Sequence, residues 1–524
     1  MPHVASQACI ACRRLKRKCS RDIPSCVLCQ RLGKDCEYPI SASDGNSAVR
    51  VHALHHKLLR GPDHPFPHAF FLDQDLHSPL RTMQLAQSVQ PELKLHVAQY
   101  LSADSPTLYS DYHVKVHTWL PMLSRKRLLD QGVESSERTD ACHPLFLLCM
   151  ELCTADCGGS PGDFHLYTAA KTLSSAVEQA GYLSLRLVQA LVLIAFYEVC
   201  HGLQPAAYLT VSRAARVGSL VGLYTSGYNS TLFQQVSTWT AGEEARRTWW
   251  AIFILDRYLL IDAPGLPFSQ QDPTAQELLP VNDDDWEAGN TVASESLYTS
   301  SFSGNTVLGP FAMLCQSSNI LSKILQHKMS RKSASEPVEQ LMEEAFHLHR
   351  TSSALQASIQ ASSEAYAGDS SPFTSASAVC SVARLCLYNL YACNSTQNGR
   401  GISTPMQADL QYLSLQSISS LVHTEIPELA RQRNASPFLA HCLYYAASEA
   451  AWIVREGCDA VTTAILKDLL DGLRSLESSY SVSGHLLSLL QQEGVLGLVD
   501  SEPSTLPDFQ HGDEEMSSTM SGDS

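Results

Sequence analysis

The fold is decided by CIACRRLKRKC at residues 9–19 and CVLCQRLGKDC at residues 26–36. Both segments follow the pattern C-x2-C-x6-C, which occurs twice in succession. Two residues between cysteines let both sulfurs reach one metal ion from a single turn, and the third cysteine closes the site from the far end of a short helix. The duplicated spacing therefore predicts a thiolate metal site built from Cys9, Cys12, Cys19, Cys26, Cys29 and Cys36.

Six thiolates cannot build two separate four-sulfur sites. Two tetrahedral zinc ions need eight ligand positions, so two sulfurs must bridge, and sharing also lowers the net negative charge of the cluster. The alternatives are one four-cysteine zinc site with two spare thiols, and a cysteine-rich head without metal. The duplication favours two zinc ions over both alternatives. A head of about forty residues also has too little apolar content to fold without metal.

Charge divides the 524-residue chain into a basic head and an acidic remainder. Residues 1–40 contain eight Lys and Arg against three acidic residues, whereas the whole chain has a formal net charge of −16. Such asymmetry is typical of a nucleic-acid-binding module on a larger partner. The chain shows no signal-peptide pattern and no apolar run of membrane-spanning length, so we expect reduced thiols and no membrane partner.

Residues 9–36 resemble the fungal binuclear zinc cluster DNA-binding domain, and Pro24 and the closing CEYP at residues 36–39 also fit that family. The resemblance implies two zinc ions bridged by Cys9 and Cys26. By the same resemblance the remaining ligands are Cys12 and Cys19 at one zinc ion, and Cys29 and Cys36 at the other.

The basic run at residues 13–18 lies between the second and third cysteines and is predicted to lie on the first short helix. A helix fits the major groove of B-DNA, where guanine offers two acceptors to lysine or arginine. The resemblance implies that Lys16 contacts a CGG triplet, although Leu15 departs from a position that is basic in many members. Base contacts are expected from Lys16, Lys18 and Arg14, and phosphate contacts from Arg13, Arg17, Arg21 and Arg31. The same run is also typical of a nuclear localisation signal, and the two roles are compatible.

Beyond the head at residues 1–40, the pattern predicts three further segments. Residues 41–88 are rich in proline and histidine with weak periodicity, which indicates a linker. Residues 89–500 show helical periodicity and few strand signals, which indicates an all-helical domain. Residues 501–524 contain acidic residues without Lys or Arg, which is typical of a disordered acidic tail. The predicted fold class is mostly α, with a small zinc-binuclear-cluster head and a large all-helical regulatory domain.

Several fragments of the helical region resemble the fungal-specific transcription factor region that accompanies these zinc clusters. They are residues 112–121, 212–223 and 244–258, followed by Leu279-Pro280 and the acidic stretch at residues 283–285. The resemblance spans roughly residues 90–290 and implies a regulatory domain without established chemistry.

Other motifs in the helical region are predicted to be structural. Thr240 to Glu243 forms a capping box that opens a long helix. Asp256 interrupts an apolar helix and is expected in a core ion pair rather than a ligand pocket. A G-x-S-x-G match at residues 158–162 is predicted to be a loop. A stripe of cysteines is predicted to belong to the core rather than to a thiol sensor, and it consists of Cys142, Cys149, Cys153 and Cys157. The acidic stretch Asp283–Asp285 is a weak candidate for a cation site.

These patterns together predict a nuclear, zinc-dependent, sequence-specific transcription factor and no enzyme. It would bind double-stranded DNA at CGG-containing sites that control RNA polymerase II genes, and a homodimer is the expected assembly on paired sites. The acidic tail would recruit transcription machinery, and the short chain resembles regulators of secondary-metabolite gene clusters. The alternative is a zinc-dependent scaffold, or a helical ligand-binding protein, whose head contacts protein rather than DNA.

Overall fold

The computed structural model describes residues 7–14, 16–22, 26–32, 36, 105–130, 142–155, 161–223, 238–263, 265–298, 308–333, 337–366, 371–393, 404–431, 436–457 and 460–500. The predicted linker at residues 41–88 and the predicted tail at residues 501–524 lie outside them. Contacts divide the chain into two units, Met1–Val89 with Ser230–Gln234, and Gln90–Asn229 with Gln235–Ser524. We describe each unit by itself.

The head contains two short helices, α1 (Ile10–Arg14) and α2 (Val27–Leu32). They begin at equivalent points of the two cysteine repeats. The buried centre of the head consists of four cysteines, Cys9, Cys12, Cys26 and Cys29. Sulfur therefore occupies the place that aliphatic side chains take in a larger domain, as expected for a unit that metal binding holds together.

Helix α1 is shorter than the basic run predicted. It ends at Arg14, and Lys16 has φ 49°, in the left-handed region. The N–H of Lys16 donates to the carbonyl of Arg13 (3.2 Å) and that of Arg17 to the carbonyl of Cys12 (2.9 Å), which is the bond pair of a Schellman helix end. The prediction that residues 13–18 share one helix is therefore wrong beyond Arg14. The chain has to turn there because the following Cys19 returns to the sulfur cluster.

Most of the described residues of the second unit are helical, which confirms the predicted class. Its first helices are α3 (Ser105–Tyr112), a π-helical turn π1 (His113–His117), α4 (Arg125–Asp130), α5 (His143–Thr154), α6 (Pro161–Gln179), α7 (Leu185–Cys200), α8 (Gln204–Leu220), α9 (Trp239–Leu259) and α10 (Asp283–Ala288). The later ones are α11 (Pro310–Ser333), α12 (Val338–Ala365), α13 (Thr374–Asn389), α14 (Pro405–Ser420), a second π-helical turn π2 (Leu421–Glu425), α15 (Ile426–Ala430), α16 (Leu439–Gly457), α17 (Ala460–Glu477), α18 (Ser481–Gln492) and α19 (Gly497–Asp500). An isolated antiparallel bridge joins Leu278 to Ser296.

Helix α7 forms the centre of the first group of helices. Its residues from Arg186 to Cys200 are all buried, and it packs against α5, α8 and α9. Ser184 caps its N-terminus by accepting a hydrogen bond from the N–H of Leu187 (3.3 Å). A helix that is buried on all sides lies among other helices, and the polar residues Arg186, Gln189 and Glu198 are buried with it. Among the described helices, none combines the length and apolar character that crossing a bilayer requires.

The later helices form a second layer of packing. Helix α11 packs against α12 and α13, and α13 packs against α16, which in turn contacts α17. Helix α9 contacts α11 as well as α7 and α8, so it joins the two groups of helices. Helices that are close in sequence mostly pack against each other, which is usual for helices joined by short connections.

The start of α9 differs from the predicted capping box. Thr238, with extended φ −142° and ψ 154°, is the N-cap and accepts a hydrogen bond from the N–H of Ala241 (3.2 Å). Thr240 therefore lies inside the first turn. Glu243 is buried and accepts hydrogen bonds from the Nε of Arg247 (3.0 Å) and the N–H of Val281 (2.9 Å). The capping-box prediction is wrong because this carboxylate pairs with a buried arginine rather than with its own helix end.

A buried ion-pair network joins α9 to α11. Arg257 is fully buried and pairs with Asp256, its neighbour in sequence. It also donates to the Oδ1 of Asp272 (3.1 Å) and the Oγ of Ser322 (2.7 Å). Lys323 of α11 donates to the other oxygen of Asp272 (2.6 Å). Asp256 is therefore a member of a core ion pair, as the apolar sequence around it predicted.

The other predicted motifs are structural where the structure describes them. Cys142 is the buried N-cap of α5, and within that helix Cys149 is buried and Cys153 half-buried, which is consistent with a core stripe, while Cys157 lies outside the described residues. Pro161 and Gly162 of the G-x-S-x-G match already belong to α6, so the loop prediction is wrong for these two residues, because proline is well accommodated in the first turn of a helix. Helix α5 precedes the match, so its described flanks contain no strand. Asp283 accepts hydrogen bonds from Arg247 (2.7 Å) and from the N–H of Phe311 (2.9 Å). These contacts pair the carboxylate of Asp283 within the protein, so its position does not require a metal ion.

Candidate zinc cluster and DNA-binding surface

The six cysteines of the head form two overlapping groups of four. One group contains Cys9, Cys12, Cys19 and Cys26, and the other contains Cys9, Cys26, Cys29 and Cys36. Within each group the sulfurs lie within 4.8 Å of one another. Cys9 and Cys26 belong to both groups, so the geometry provides two four-sulfur sites from six residues.

The separations between sulfurs match those around tetrahedral zinc. The Sγ of Cys9 lies 3.8 Å from that of Cys26 and 3.7 Å from that of Cys29, and the Sγ of Cys12 lies 3.6 Å from that of Cys26. Zinc–sulfur bonds of about 2.3 Å place two sulfurs on one tetrahedral ion about 3.8 Å apart. The cysteines therefore fit two zinc ions without rearrangement of the backbone.

Backbone N–H groups support the sulfurs in a repeated pattern. The N–H of Cys9 donates to the sulfur of Cys19 (3.5 Å), and the N–H of Cys26 donates to that of Cys36 (3.1 Å). In the same way, the N–H groups of Cys12 and Cys29 donate to the sulfurs of Cys9 and Cys26, both at 3.4 Å. The two halves of the site are thus built alike, as the duplicated sequence predicted. Sequence reasoning missed these donors because backbone direction has no residue signature.

The thiols differ in acidity, which matters because zinc binds thiolates. Burial raises the pKa of Cys29 to about 12. Burial also acts on Cys19, but hydrogen bonds from the N–H groups of Cys9 and Arg21 outweigh it and lower the pKa of Cys19 to about 7. Without metal, the buried thiol keeps its proton at neutral pH. Zinc must displace that proton, so folding of the head is coupled to metal binding.

Basic side chains surround the cluster and face solvent. Arg13 lies on α1, and Lys16, Arg17 and Lys18 follow the helix end; all four are exposed. Arg21 and Arg31 are exposed as well, while the side chain of Arg14 lies outside the described set. Exposed cations beside a folded cluster can contact phosphate or guanine. The structure thus leaves most of the predicted DNA-contacting residues accessible, although only part of the run is helical.

Comparison with known proteins identifies both parts of the chain. The sequence profile of the fungal Zn(2)-Cys(6) binuclear cluster domain matches residues 7–44, and that of the fungal specific transcription factor domain matches residues 107–358. The second match extends well beyond the fragments that suggested it. The chain is also similar to transcription factor BOA15 of Botryotinia fuckeliana (strain B05.10), with 35% identity over 184 residues that cover 34% of this chain and 98% of the relative.

The chain belongs to the fungal Zn(2)-Cys(6) binuclear cluster family of transcription factors. Its cofactor is a pair of zinc ions, which the clustered cysteines of the head are arranged to hold. The prediction of a binuclear cluster, rather than a single zinc site with two spare thiols, is confirmed.

Proposed function

We propose that this protein is a nuclear regulator of RNA polymerase II genes that recognises CGG-containing DNA through its zinc cluster. The observation that carries the proposal is the set of exposed cations that follow α1 beside the cluster. The rest of the chain is acidic, so this surface is where a polyanion would meet positive charge. The helical body would regulate rather than catalyse.

In this proposal Cys9 and Cys26 bridge the two zinc ions. Cys12 and Cys19 complete one site, and Cys29 and Cys36 complete the other. The two sulfur groups and their shared members support the assignment. The N–H donors on the sulfurs would stabilise the thiolate form, since hydrogen bonds to the charged form favour it.

Lys16 is the proposed base-reading residue, with Lys18 and Arg14 as further base contacts. Its exposed position just after the end of α1 supports this role, because the side chain is accessible to DNA there. Its ammonium group would donate to N7 and O6 of guanine. The exposed residues Arg13, Arg17, Arg21 and Arg31 would bind phosphates and contribute affinity without sequence information.

The remaining assignments of the proposal concern the rest of the chain. Residues 1–40 would be the DNA-binding domain, 41–88 a linker that sets its reach, and 89–500 the regulatory domain. The acidic segment at 501–524 would recruit transcription machinery, and a second copy of the chain would allow two CGG half-sites to be bound. The genes would belong to a secondary-metabolite gene cluster, which the short chain supports by its resemblance to regulators of such clusters.

Binding titrations of the full chain test the proposal. Wild type, Lys16→Ala and Arg21→Ala would be titrated on CGG-containing and scrambled duplexes at two salt concentrations. We expect Lys16→Ala to lose affinity mainly for the CGG duplex, and Arg21→Ala to weaken both duplexes alike and reduce the salt slope by about one unit. Wild-type binding without preference for CGG would contradict the proposal. No binding to either duplex would favour a head that contacts protein.

A further inference from the structure

Two histidines and a glutamate of the helical body converge on one point. His113 and His117 lie four residues apart in π1, and Glu287 lies in α10. The Nε2 of His117 is 2.8 Å from the Oε1 of Glu287, and the Nε2 of His113 is 3.2 Å from the Oε2. Their donor atoms all lie within 4.8 Å of one another. These residues belong to the second unit and are unrelated to the cysteines of the head.

The local backbone explains why both imidazoles point the same way. A π-helical turn is wider than an α-helical one and commonly occurs at functional sites. In π1 it stacks the two rings, whose centroids are 4.4 Å apart with planes inclined by 17°. The Nζ of Lys115 donates to the carbonyl of Thr154 (2.5 Å), which anchors π1 to the end of α5. The two nitrogens are therefore held in place before any ligand arrives.

Helix α10 is held with similar firmness. Asn282 caps it by accepting a hydrogen bond from the N–H of Asp284 (3.0 Å), and Asp283 accepts a hydrogen bond from Arg247 (2.7 Å). Arg247 is also paired with Glu243, so its charge is compensated next to the histidines. Glu287 is thus presented from a fixed element, and the two carboxylates paired with Arg247 offset part of the positive charge of its guanidinium.

The distances suit a transition metal. Zinc bonds of about 2.0–2.1 Å to imidazole nitrogen and carboxylate oxygen place two ligands of a tetrahedral ion about 3.3 Å apart. The Nε2 of His113 lies 3.2 Å from one oxygen of Glu287, close to that value, and the Nε2 of His117 lies 2.8 Å from the other oxygen, so that this pair would have to separate by about 0.5 Å around an ion. His117 is nearly buried, with 7% of its side chain exposed, whereas His113 and Glu287 are 34% and 30% exposed. One side of the cluster is therefore open to solvent.

We propose that His113, His117 and Glu287 form a third zinc site, in the regulatory domain. Zinc would take one Nε2 from each histidine and one oxygen of Glu287, with water in the fourth position on the open side. Three protein ligands with one exchangeable position distinguish this site from the closed thiolate cluster. Zinc there would join π1 to α10, whose ligands His117 and Glu287 are 170 residues apart in sequence. The fraction of helical bodies with this site occupied would then depend on the concentration of free zinc.

The metal content of the full chain tests this proposal. Chelator-treated protein would be titrated with zinc, freed of loosely bound metal and analysed by elemental analysis. The variants are His113→Ala and Glu287→Gln at partly exposed positions, with His165→Ala, an exposed histidine of α6, as the matched control. We expect three zinc ions per chain in wild type and His165→Ala, and two in His113→Ala and Glu287→Gln. Two zinc ions in saturated wild type would overturn the proposal.

Retention of the third ion by both variants would overturn it as well, because the ion would then lie on other residues. Cobalt substitution gives a second readout, because the absorption of bound cobalt reports the type of its ligands. Thiolate-bound cobalt gives strong sulfur-to-metal charge-transfer absorption, and cobalt bound only by nitrogen and oxygen does not. The third equivalent should therefore add weak visible bands without further charge-transfer absorption in wild type, and these bands should be lost in His113→Ala. Added charge-transfer absorption at that equivalent would show thiolate ligation and refute the site.

Discussion

Lys16→Gly should separate DNA recognition from folding of the head. Lys16 holds φ 49°, a left-handed conformation that costs a residue with a β-carbon about 1–2 kcal/mol. Glycine avoids that strain but loses more chain entropy on folding, about 0.5–1 kcal/mol. The relief of strain equals or exceeds the entropy loss, so we expect the head of this variant to be as stable as wild type or more stable by up to about 1.5 kcal/mol.

The same change removes the ammonium group that we propose to read guanine. Loss of one base-reading side chain costs about 1–3 kcal/mol on the cognate site, which corresponds to a dissociation constant about 5 to 150 times larger. Lys16→Ala is the matched variant, because it loses the ammonium group but keeps the backbone strain. Lys16→Pro is the opposite control. It fixes φ near −65° and removes the N–H that bonds to Arg13 at 3.2 Å.

Two measurements on the full chain decide the case. Zinc release to a competing chelator reports the stability of the head, and fluorescence anisotropy with a labelled CGG duplex reports recognition. We expect Lys16→Gly to retain zinc like wild type and to bind the duplex as weakly as Lys16→Ala does. Zinc loss as fast as in Lys16→Pro would refute the assigned helix end. Wild-type affinity for the CGG duplex would refute the assigned role of the side chain.

Three further predictions concern the cluster and the core. Cys26→Ser removes a sulfur shared by both groups, so native mass spectrometry should show loss of both zinc ions from the head, whereas Cys36→Ser should keep one; equal losses would argue against bridging. Arg257→Ala leaves a buried carboxylate without its cation and should lower the free energy of unfolding in urea by about 3–5 kcal/mol; an unchanged midpoint would contradict this. Burial raises the pKa of Asp272, but hydrogen bonds, that from Lys323 foremost, outweigh it and hold the pKa below the usual 3.8. A carboxylate with a lowered pKa in the folded state stabilises the fold at pH values above its unfolded-state pKa, and this stabilisation is lost as the pH falls through the folded-state pKa. Asp272→Asn should therefore weaken the dependence of the free energy of unfolding on pH below about pH 4.

Local spacing was sufficient to predict the zinc cluster. Ligands separated by two residues reach one ion from a single turn, so the chemistry of Cys9 and Cys12 can be recognised without tertiary information. Helical periodicity likewise predicted the class of the body, and the apolar surroundings of Asp256 predicted its ion pair. The end of α1 was not predictable in this way. Lys16 has no preference for the left-handed region, and it adopts that conformation because Cys19 has to return to the cluster.

The first residue of α9 was also not predictable from local sequence, because Thr238 and Thr240 are both acceptable N-cap residues. The packing of Glu243 against Arg247 and Val281 decided between them. The convergence on Glu287 is a stronger case. The i, i+4 spacing of His113 and His117 is visible in the sequence, but their partner lies 170 residues beyond His117. Sequence by itself determines what a short segment can ligate or which face of a helix is apolar. Only the tertiary structure decides which distant segments meet, because that depends on how the whole set of helices packs.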